Sequence, residues 1–238
     1  MQFLTIIPTK LKETVSGNDL TKSMTYFPLV GLLLGAILIL VNLVSSSLFP
    51  PLVAKAIVLI VLVILTGALP LGGFVAACEG FFSGKHGDEA LTIMRESRPG
   101  FRGVVALILL LLIKFALLYS LVERVELGAL LLMPLMGRWA MVVIGTLAPY
   151  ARGISRERFS SSGQDDYRSL VRASLITFIV SLLLFRFFVI PLMAIVCLAT
   201  LTLRWFSLRK LEGITGDVLR ATAELMEIVT LLLFCLIK

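Results

Sequence analysis

The sequence predicts an all-α, polytopic integral membrane helix bundle, and three compositional observations support this prediction. Hydrophobic residues make up 58% of the 238 residues, mean hydropathy is +1.02, and charged residues make up only 16%. Soluble domains are about 45–50% apolar even with glycine counted, and a chain of this size cannot hide so much more apolar surface from water. We therefore expect the solvent of this chain to be a lipid bilayer.

The candidate membrane spans are seven apolar segments, most of which approach the roughly 20 residues needed to cross a bilayer core. In chain order they are residues 27–49, 52–70, 104–122, 127–148, 170–184, 188–205 and 218–237. The fifth and sixth are separated only around Arg186, so they form either a tight helical hairpin or one broken span. We predict a single integral membrane domain over residues 1–238, with about seven (six to seven) transmembrane helices.

The distribution of basic residues predicts the orientation. Sixteen of the 22 lysines and arginines fall in the N-terminal arm and in or beside three polar loops, residues 71–103, 149–169 and 206–217. Four fall on the opposite side, and Lys114 and Arg138 fall inside spans. The positive-inside rule then places the N-terminus and all three loops in the cytoplasm. The net charge of +7 is explained by this orientation, so we predict no nucleic-acid partner.

Cysteine and histidine chemistry is not expected to carry the activity. The three cysteines, Cys78, Cys197 and Cys235, lack the spacing of a zinc site or a disulfide framework. His86 is the single histidine, which excludes any mechanism that needs a histidine pair. Residues 1–8 lack the basic region and the cleavage site of a signal peptide.

The last predicted span carries an unusual set of charges. These residues are Asp217, Arg220, Glu224 and Glu227. Their spacing of three and four residues places them on one helix face, and charged groups in a span face the bundle interior and by default mark function. A ladder in which Arg220 pairs with Glu224 would instead only fix helix packing. Thr215 and Gly216 precede this face, where a helix N-terminus can bind phosphate.

The loop between the second and third spans combines acids, arginines and glycines. Glu79 and Glu96 could supply oxygen ligands to Mg²⁺, and Arg95 and Arg98 suit a phosphate group. A solvated loop whose arginines bind anionic lipid headgroups explains the same residues equally well.

Of three further residues, Arg138 and Tyr150 have two interpretations each and Lys114 has one. Lys114 is expected to pair with a carboxylate of the last helix, and Arg138 to reach an interior partner or a substrate phosphate. Tyr150 is either a membrane-interface anchor or part of a binding site. A cavity with arginines and carboxylates favours transfer at a phosphate, whereas a proton-coupled transporter would use the same residue types.

These segments resemble the cobalamin synthase family over nearly the whole chain. The matching segments are F-L-T-I-I-P at residues 3–8, F-P-L-V-G at 27–31, T-G-A-L at 66–69, G-F-F-S-G at 80–84, I-M-R-E-S-R-P-G at 93–100, P-Y-A-R at 149–152 and T-G-D at 215–217. Arg138, Glu224 and Glu227 complete the series. Each match is weak alone, and their common order makes the resemblance specific.

The resemblance implies a membrane transferase of late cobalamin biosynthesis, an adenosylcobinamide-GDP ribazoletransferase. Its substrates would be adenosylcobinamide-GDP and α-ribazole or its phosphate, its products adenosylcobalamin and GMP, and its cofactor Mg²⁺. It implies a multi-pass protein of the inner cell membrane with a cytoplasmic active face, and it leaves an oligomer open. The implied catalytic residues are Glu79, Glu96, Arg98 and Asp217; the substrate-binding residues are Arg95, Ser97, Arg138, Tyr150, Arg152, Thr215 and Gly216; the metal ligands are Glu79, Asp217, Glu224 and Glu227.

The chain departs from the family at its acidic signature loop, which reads roughly H-L-D-G-x-x-D-x-x-D-G. Residues 70–80 read P-L-G-G-F-V-A-A-C-E-G, so Gly72 and Ala76 replace two expected aspartates and Glu79 replaces the third. Three explanations follow. The metal site is rebuilt around Glu79, Glu96, Asp217 and Glu224; or the protein is a catalytically impaired or repurposed relative that binds a nucleotide or corrinoid; or the chain was altered from an active parent.

Overall fold

The computed structural model describes residues 23–96, 100–151, 163–185 and 188–236, and within them the chain forms nine helices and one isolated β-bridge. The helices are α1 (Phe27–Leu48), α2 (Pro51–Thr66), α3 (Leu69–Phe81), α4 (Gly87–Arg95), α5 (Phe101–Ser120), α6 (Glu123–Leu147), α7 (Gly163–Phe185), α8 (Val189–Leu211) and α9 (Gly216–Cys235). The predicted all-α membrane fold is confirmed.

Fewer than seven of the described helices are long and apolar enough to be counted as membrane spans. Among the described helices, α1, α5, α6, α7 and α8 are long and apolar enough to cross a bilayer. α2 and α3 meet at an angle of 85° and together count as a sixth. α9 corresponds to the seventh predicted span, but its charged residues keep it out of this apolar set, and it packs against α6 and α3. The count of seven therefore stays a prediction.

The second predicted span ends in a sharp bend rather than a long loop. Gly67 and Ala68 both have left-handed backbone conformations, with φ of 62° and 54°. The Gly67 amide donates to the carbonyls of the last turn of α2, which is the usual way for a helix to end at glycine. Because Pro70 follows at the second position of the next helix, α3 starts immediately on the far side of the bend.

The prediction that residues 71–103 form a loop was wrong. α3 and α4 occupy most of this segment, and α5 begins at Phe101. The glycines that we interpreted as loop residues are positions of close helix contact: a Cβ atom at Gly73 would lie 2.6 Å from Cβ of Arg220, and one at Gly80 would overlap the Met94 side chain. Small residues allow helices to approach in this way.

The other two predicted loops are also shorter than expected. α8 continues to Leu211, well inside the predicted loop 206–217, and α7 begins at Gly163, inside the predicted loop 149–169. Residues 212–215 and 149–151 remain as connections between helices. We call the end of the bundle where they lie the loop end. Residues 152–162 and the N-terminal arm lie outside the described residues.

α6 is the central helix, and residues 132–144 are buried without a break. α1 packs against it through two glycines one turn apart. A Cβ atom at Gly31 would lie 2.6 Å from Cα of Leu135, and one at Gly35 would lie 2.7 Å from Cα of Leu131. The backbones of α1 and α6 therefore meet at a distance that only glycine allows.

We expect Gly35→Leu to lower the free energy of unfolding by about 1–3 kcal/mol, because overpacking forces the two backbones apart. Gly72→Ala is the matched control, since a Cβ atom at Gly72 meets nothing within 4 Å. The measurement is denaturant unfolding in detergent micelles. Equal stability of both variants would show that the α1–α6 contact is not as close as described.

The end of α6 opposite the loop end is held by a separate polar cluster. Lys55 of α2 donates to Oδ1 of Asn42 of α1 at 2.8 Å and pairs with Glu126 of α6. This contact joins α1, α2 and α6 at that end of the bundle.

Candidate functional site

Four charged side chains form a neutral cluster inside the bundle. They are Lys114 of α5, Arg138 of α6, and Glu224 and Glu227 of α9. Nζ of Lys114 pairs with Glu224 and lies 2.7 Å from Oε2 of Glu227, and Nη1 of Arg138 pairs with Oε1 of Glu227. Lys114 is 1% exposed, and Arg138 and Glu227 are fully buried. The expected pairing of Lys114 with a carboxylate of the last helix is confirmed.

Arg138 reaches an interior partner, as one of its two readings required. Only Nη1 makes an ion pair, and within the described residues Nε and Nη2 have no hydrogen-bond partner. A guanidinium has five donors, so Arg138 keeps binding capacity inside the bundle. Its role in binding substrate stays a prediction, because the side chain is fully buried.

The alternative interpretation of this helix face, a ladder in which Arg220 pairs with Glu224, is not what the structure shows. Nη1 of Arg220 instead donates to Oδ1 of Asp217 at 3.1 Å, because Glu224 is engaged by Lys114. Burial raises the pKa of the Asp217 carboxyl, and the Arg220 guanidinium opposes part of that rise. Asp217 and Arg220 keep partly exposed side chains, at 34% and 25%. This pair is accessible, whereas the neutral cluster is not.

The first turn of α9 is built at the loop end. Thr215 is the N-cap, and its hydroxyl accepts the amide of Val218 at 3.2 Å. The preceding Ile214 forms a parallel β-bridge with Tyr150, through hydrogen bonds of 2.9 Å to the backbone of residues 149 and 151. A Cβ atom at Gly213 would meet the Ala151 backbone, so this bridge requires glycine. Tyr150, Thr215, Gly216 and Asp217 are thereby brought together, as expected of a shared site.

α3 joins this turn to a second set of residues. Gly73 packs directly on Arg220 and on the carbonyl of Asp217, while the neighbouring Gly72 faces a cavity of about 440 Å³. Glu79 and Glu96 also line this cavity. The candidate acids therefore lie on two sides of α3. Asp217 of α9 is on one side, and Glu79 and Glu96 line the cavity on the other.

The Glu79 carboxylate serves as a cap for α5. It accepts the amide of Gly103 at 2.5 Å, and a Cβ atom at Gly100 would overlap it. A carboxylate at a helix N-terminus satisfies otherwise unpaired amides and interacts favourably with the helix dipole. The sequence analysis did not predict that Gly100 and Gly103 make room for the Glu79 carboxylate at the start of α5. Two glycines just before a predicted span could have indicated such a close contact.

Several predicted site residues are not placed. Ser97, Arg98 and Arg152 lie outside the described residues. Arg95 ends α4 and is exposed, next to Glu96.

The predicted metal ligands are not gathered into one site. Among the described residues, no group of three or more histidine, cysteine or acidic side chains could hold a metal ion. Glu79 caps α5, Asp217 pairs with Arg220, and Glu224 and Glu227 are neutralised by Lys114 and Arg138. Hard cations such as Mg²⁺ bind through carboxylate oxygens and waters, so these described side chains do not fit a magnesium site. The magnesium requirement stays a prediction.

Fold and site together define a polytopic helical membrane protein with a partly exposed acid, Asp217, in the first turn of α9 at the loop end of the bundle. The chain belongs to the cobalamin-5-phosphate synthase family, whose model matches residues 1–235.

Similar proteins cover nearly the whole chain. An adenosylcobinamide-GDP ribazoletransferase of Desulforamulus reducens is 36% identical over 95% of this chain and 90% of its own length. Proteins of the same name from Thermoanaerobacter sp. and Acetivibrio thermocellus are 32% and 34% identical, over 98% and 99% of this chain and 94% and 95% of theirs. No solved structure matches the chain.

Proposed function

We propose that this protein is an adenosylcobinamide-GDP ribazoletransferase of late cobalamin biosynthesis. The observation that carries the proposal is the near end-to-end similarity to proteins of that name at 31–36% identity. The helical membrane fold and the accessible polar residues at the loop end are compatible with it.

In the proposed reaction, a ribose hydroxyl oxygen of α-ribazole, or of its phosphate, attacks the phosphorus on the cobinamide side of the pyrophosphate. An oxygen–phosphorus bond forms to that hydroxyl, the bond to the GMP oxygen breaks, and the hydroxyl proton passes to a base. GMP leaves with the bonding electron pair. We assign the base to Asp217, because it is the partly exposed acid in the first turn of α9 and burial raises its pKa.

The phosphates would bind beside this acid. Gly216 lies at the N-terminus of α9 and has no side chain to cover its backbone. The space beside it is open, because a Cβ atom built there would meet nothing within 4 Å. Backbone amides at such a position favour anions. Arg95, Ser97, Arg98 and Arg152 would bind the remaining phosphate charge. We place this site on the cytoplasmic face of the inner membrane, on the strength of the basic-residue bias.

The test is an assay in liposomes with adenosylcobinamide-GDP, α-ribazole and Mg²⁺, with release of GMP as the readout. We expect Asp217→Asn to lower kcat by about 10²–10⁴-fold, the range for loss of a general base. Asp88→Asn is the matched control, since Asp88 is an exposed acid in the first turn of α4. If folded wild-type protein releases no GMP, the proposed activity is wrong; if Asp88→Asn loses as much as Asp217→Asn, the assignment of the base is wrong.

A second candidate is a relative that binds the substrates without turnover. It is favoured by Gly72 and Ala76, which stand where the family resemblance implies acids. Saturable binding of adenosylcobinamide-GDP without GMP release would identify it. Substrate-dependent proton uptake by the same liposomes would instead identify a transporter.

A further inference from the structure

A larger cavity, of about 660 Å³, lies on the other side of α3 from the one that Glu79 lines. Its walls come from α3, α5, α8 and α9 and are formed by apolar side chains and Cys78. The two cavities share no lining residue. The larger one is therefore separate from the acids of the candidate site.

The cavity extends for about two turns along both α5 and α9. It extends from Ala106 to Ile113 on α5 and from Ala221 to Ile228 on α9. Seven residues of helix correspond to about 10 Å. Because α5 is one of the candidate spans, this extent follows the direction in which α5 crosses the bilayer.

The side of the cavity along α5 opens toward the surface of the bundle. Leu109 and Ile113 line the cavity and are 61% and 43% exposed. In a membrane such side chains face hydrocarbon, so an occupant can enter from the bilayer. An apolar cavity of this kind is filled by apolar groups rather than by water.

Two cations lie beyond the same end of the cavity. Arg102 precedes Ala106 by one turn of α5, and Lys210 follows Phe206 by one turn of α8. α5 leads away from the loop end and α8 leads toward it, so both cations are at the loop end. An apolar cavity followed by two positive charges matches the acyl chain and the phosphate of an anionic phospholipid.

We propose that this cavity binds one acyl chain of an anionic phospholipid from the leaflet at the loop end, with the lipid phosphate held by Arg102 and Lys210. On the predicted orientation this is the cytoplasmic leaflet. The site does not depend on the proposed transferase function.

The experiment uses the full chain reconstituted with spin-labelled phosphatidylglycerol or phosphatidylcholine. Electron paramagnetic resonance then measures the motionally restricted lipid. We expect wild-type protein to prefer phosphatidylglycerol, and Lys210→Gln to lower that preference about fivefold, the effect of one cation near a membrane surface. Arg102→Gln should act similarly. Ala106→Phe should reduce the restricted fraction of both lipids, because the ring fills the cavity.

Arg209→Gln is the matched control. It removes the same charge from the adjacent residue, but Arg209 stacks over the Trp205 ring at 4.1 Å and lies on another face of α8. Equal binding of both lipids by wild-type protein, or an equal loss of preference in Arg209→Gln, would overturn the proposal. Displacement of the restricted lipid by α-ribazole would also overturn it, since the cavity would then belong to the substrate. Arg102→Gln and Lys210→Gln keep the test decisive if Ala106→Phe does not fold.

Discussion

Replacing Lys114 by methionine is expected to lower the free energy of unfolding by about 3–5 kcal/mol, the cost of leaving a buried charge without its partner. Lys114 is the partner of two carboxylates on α9, and after its loss Arg138 alone must neutralise both. The apolar replacement also leaves Glu224 without its ion pair inside the bundle. The measurement is denaturant unfolding in detergent micelles.

Lys85→Met is the control for charge alone. Lys85 pairs with Glu89, but the two side chains are 58% and 69% exposed, and exposed pairs contribute about 0–1 kcal/mol. Adding Glu224→Gln to Lys114→Met should restore part of the loss, because the surplus negative charge is then removed. Equal stability of the Lys114 and Lys85 variants would contradict the buried cluster.

The second large effect is expected from restoring acids on α3. Gly72, Ala76 and Glu79 are spaced by four and three residues, so they share one helix face, and all three line the 440 Å³ cavity. A Cβ atom at Gly72 meets nothing within 4 Å, so a side chain fits there. Aspartates at both positions would add hard oxygen donors beside Glu79 and Glu96. We expect the Gly72→Asp, Ala76→Asp double variant to bind one divalent cation that the wild-type cavity does not bind.

Mn²⁺ is the probe, and its bound fraction is measured by electron paramagnetic resonance. The double variant Gly72→Asn, Ala76→Asn is the control, because it has similar volume and lacks the charge. If the proposed transferase function is right, GMP release should also rise in the aspartate variant. Mn²⁺ binding by wild-type protein equal to that of the aspartate variant, or no difference between the aspartate and asparagine variants, would contradict this account of the cavity.

The sequence predicted more of the fold than of the site. Helix and membrane class follow from composition, because a chain this apolar must place most of its surface in lipid. The glycines of residues 72–84 misled the prediction, since glycine marks both turns and close helix contacts. Gly73 and Gly80 belong to the second kind, and only the position of Arg220 and Met94 against them shows this.

What the sequence determined by itself was the kind of protein: an all-helical membrane bundle whose acids on the last helix share one face. The sequence also predicted that Lys114 pairs with a carboxylate of that helix, but which acid each cation meets was decided by the tertiary structure. Local spacing allowed a pair of Arg220 with Glu224, whereas α5 brings Lys114 against both Glu224 and Glu227, and α6 brings Arg138 to Glu227. The physical reason is burial: a carboxylate inside the bundle needs an interior cation, and only helix packing places one there.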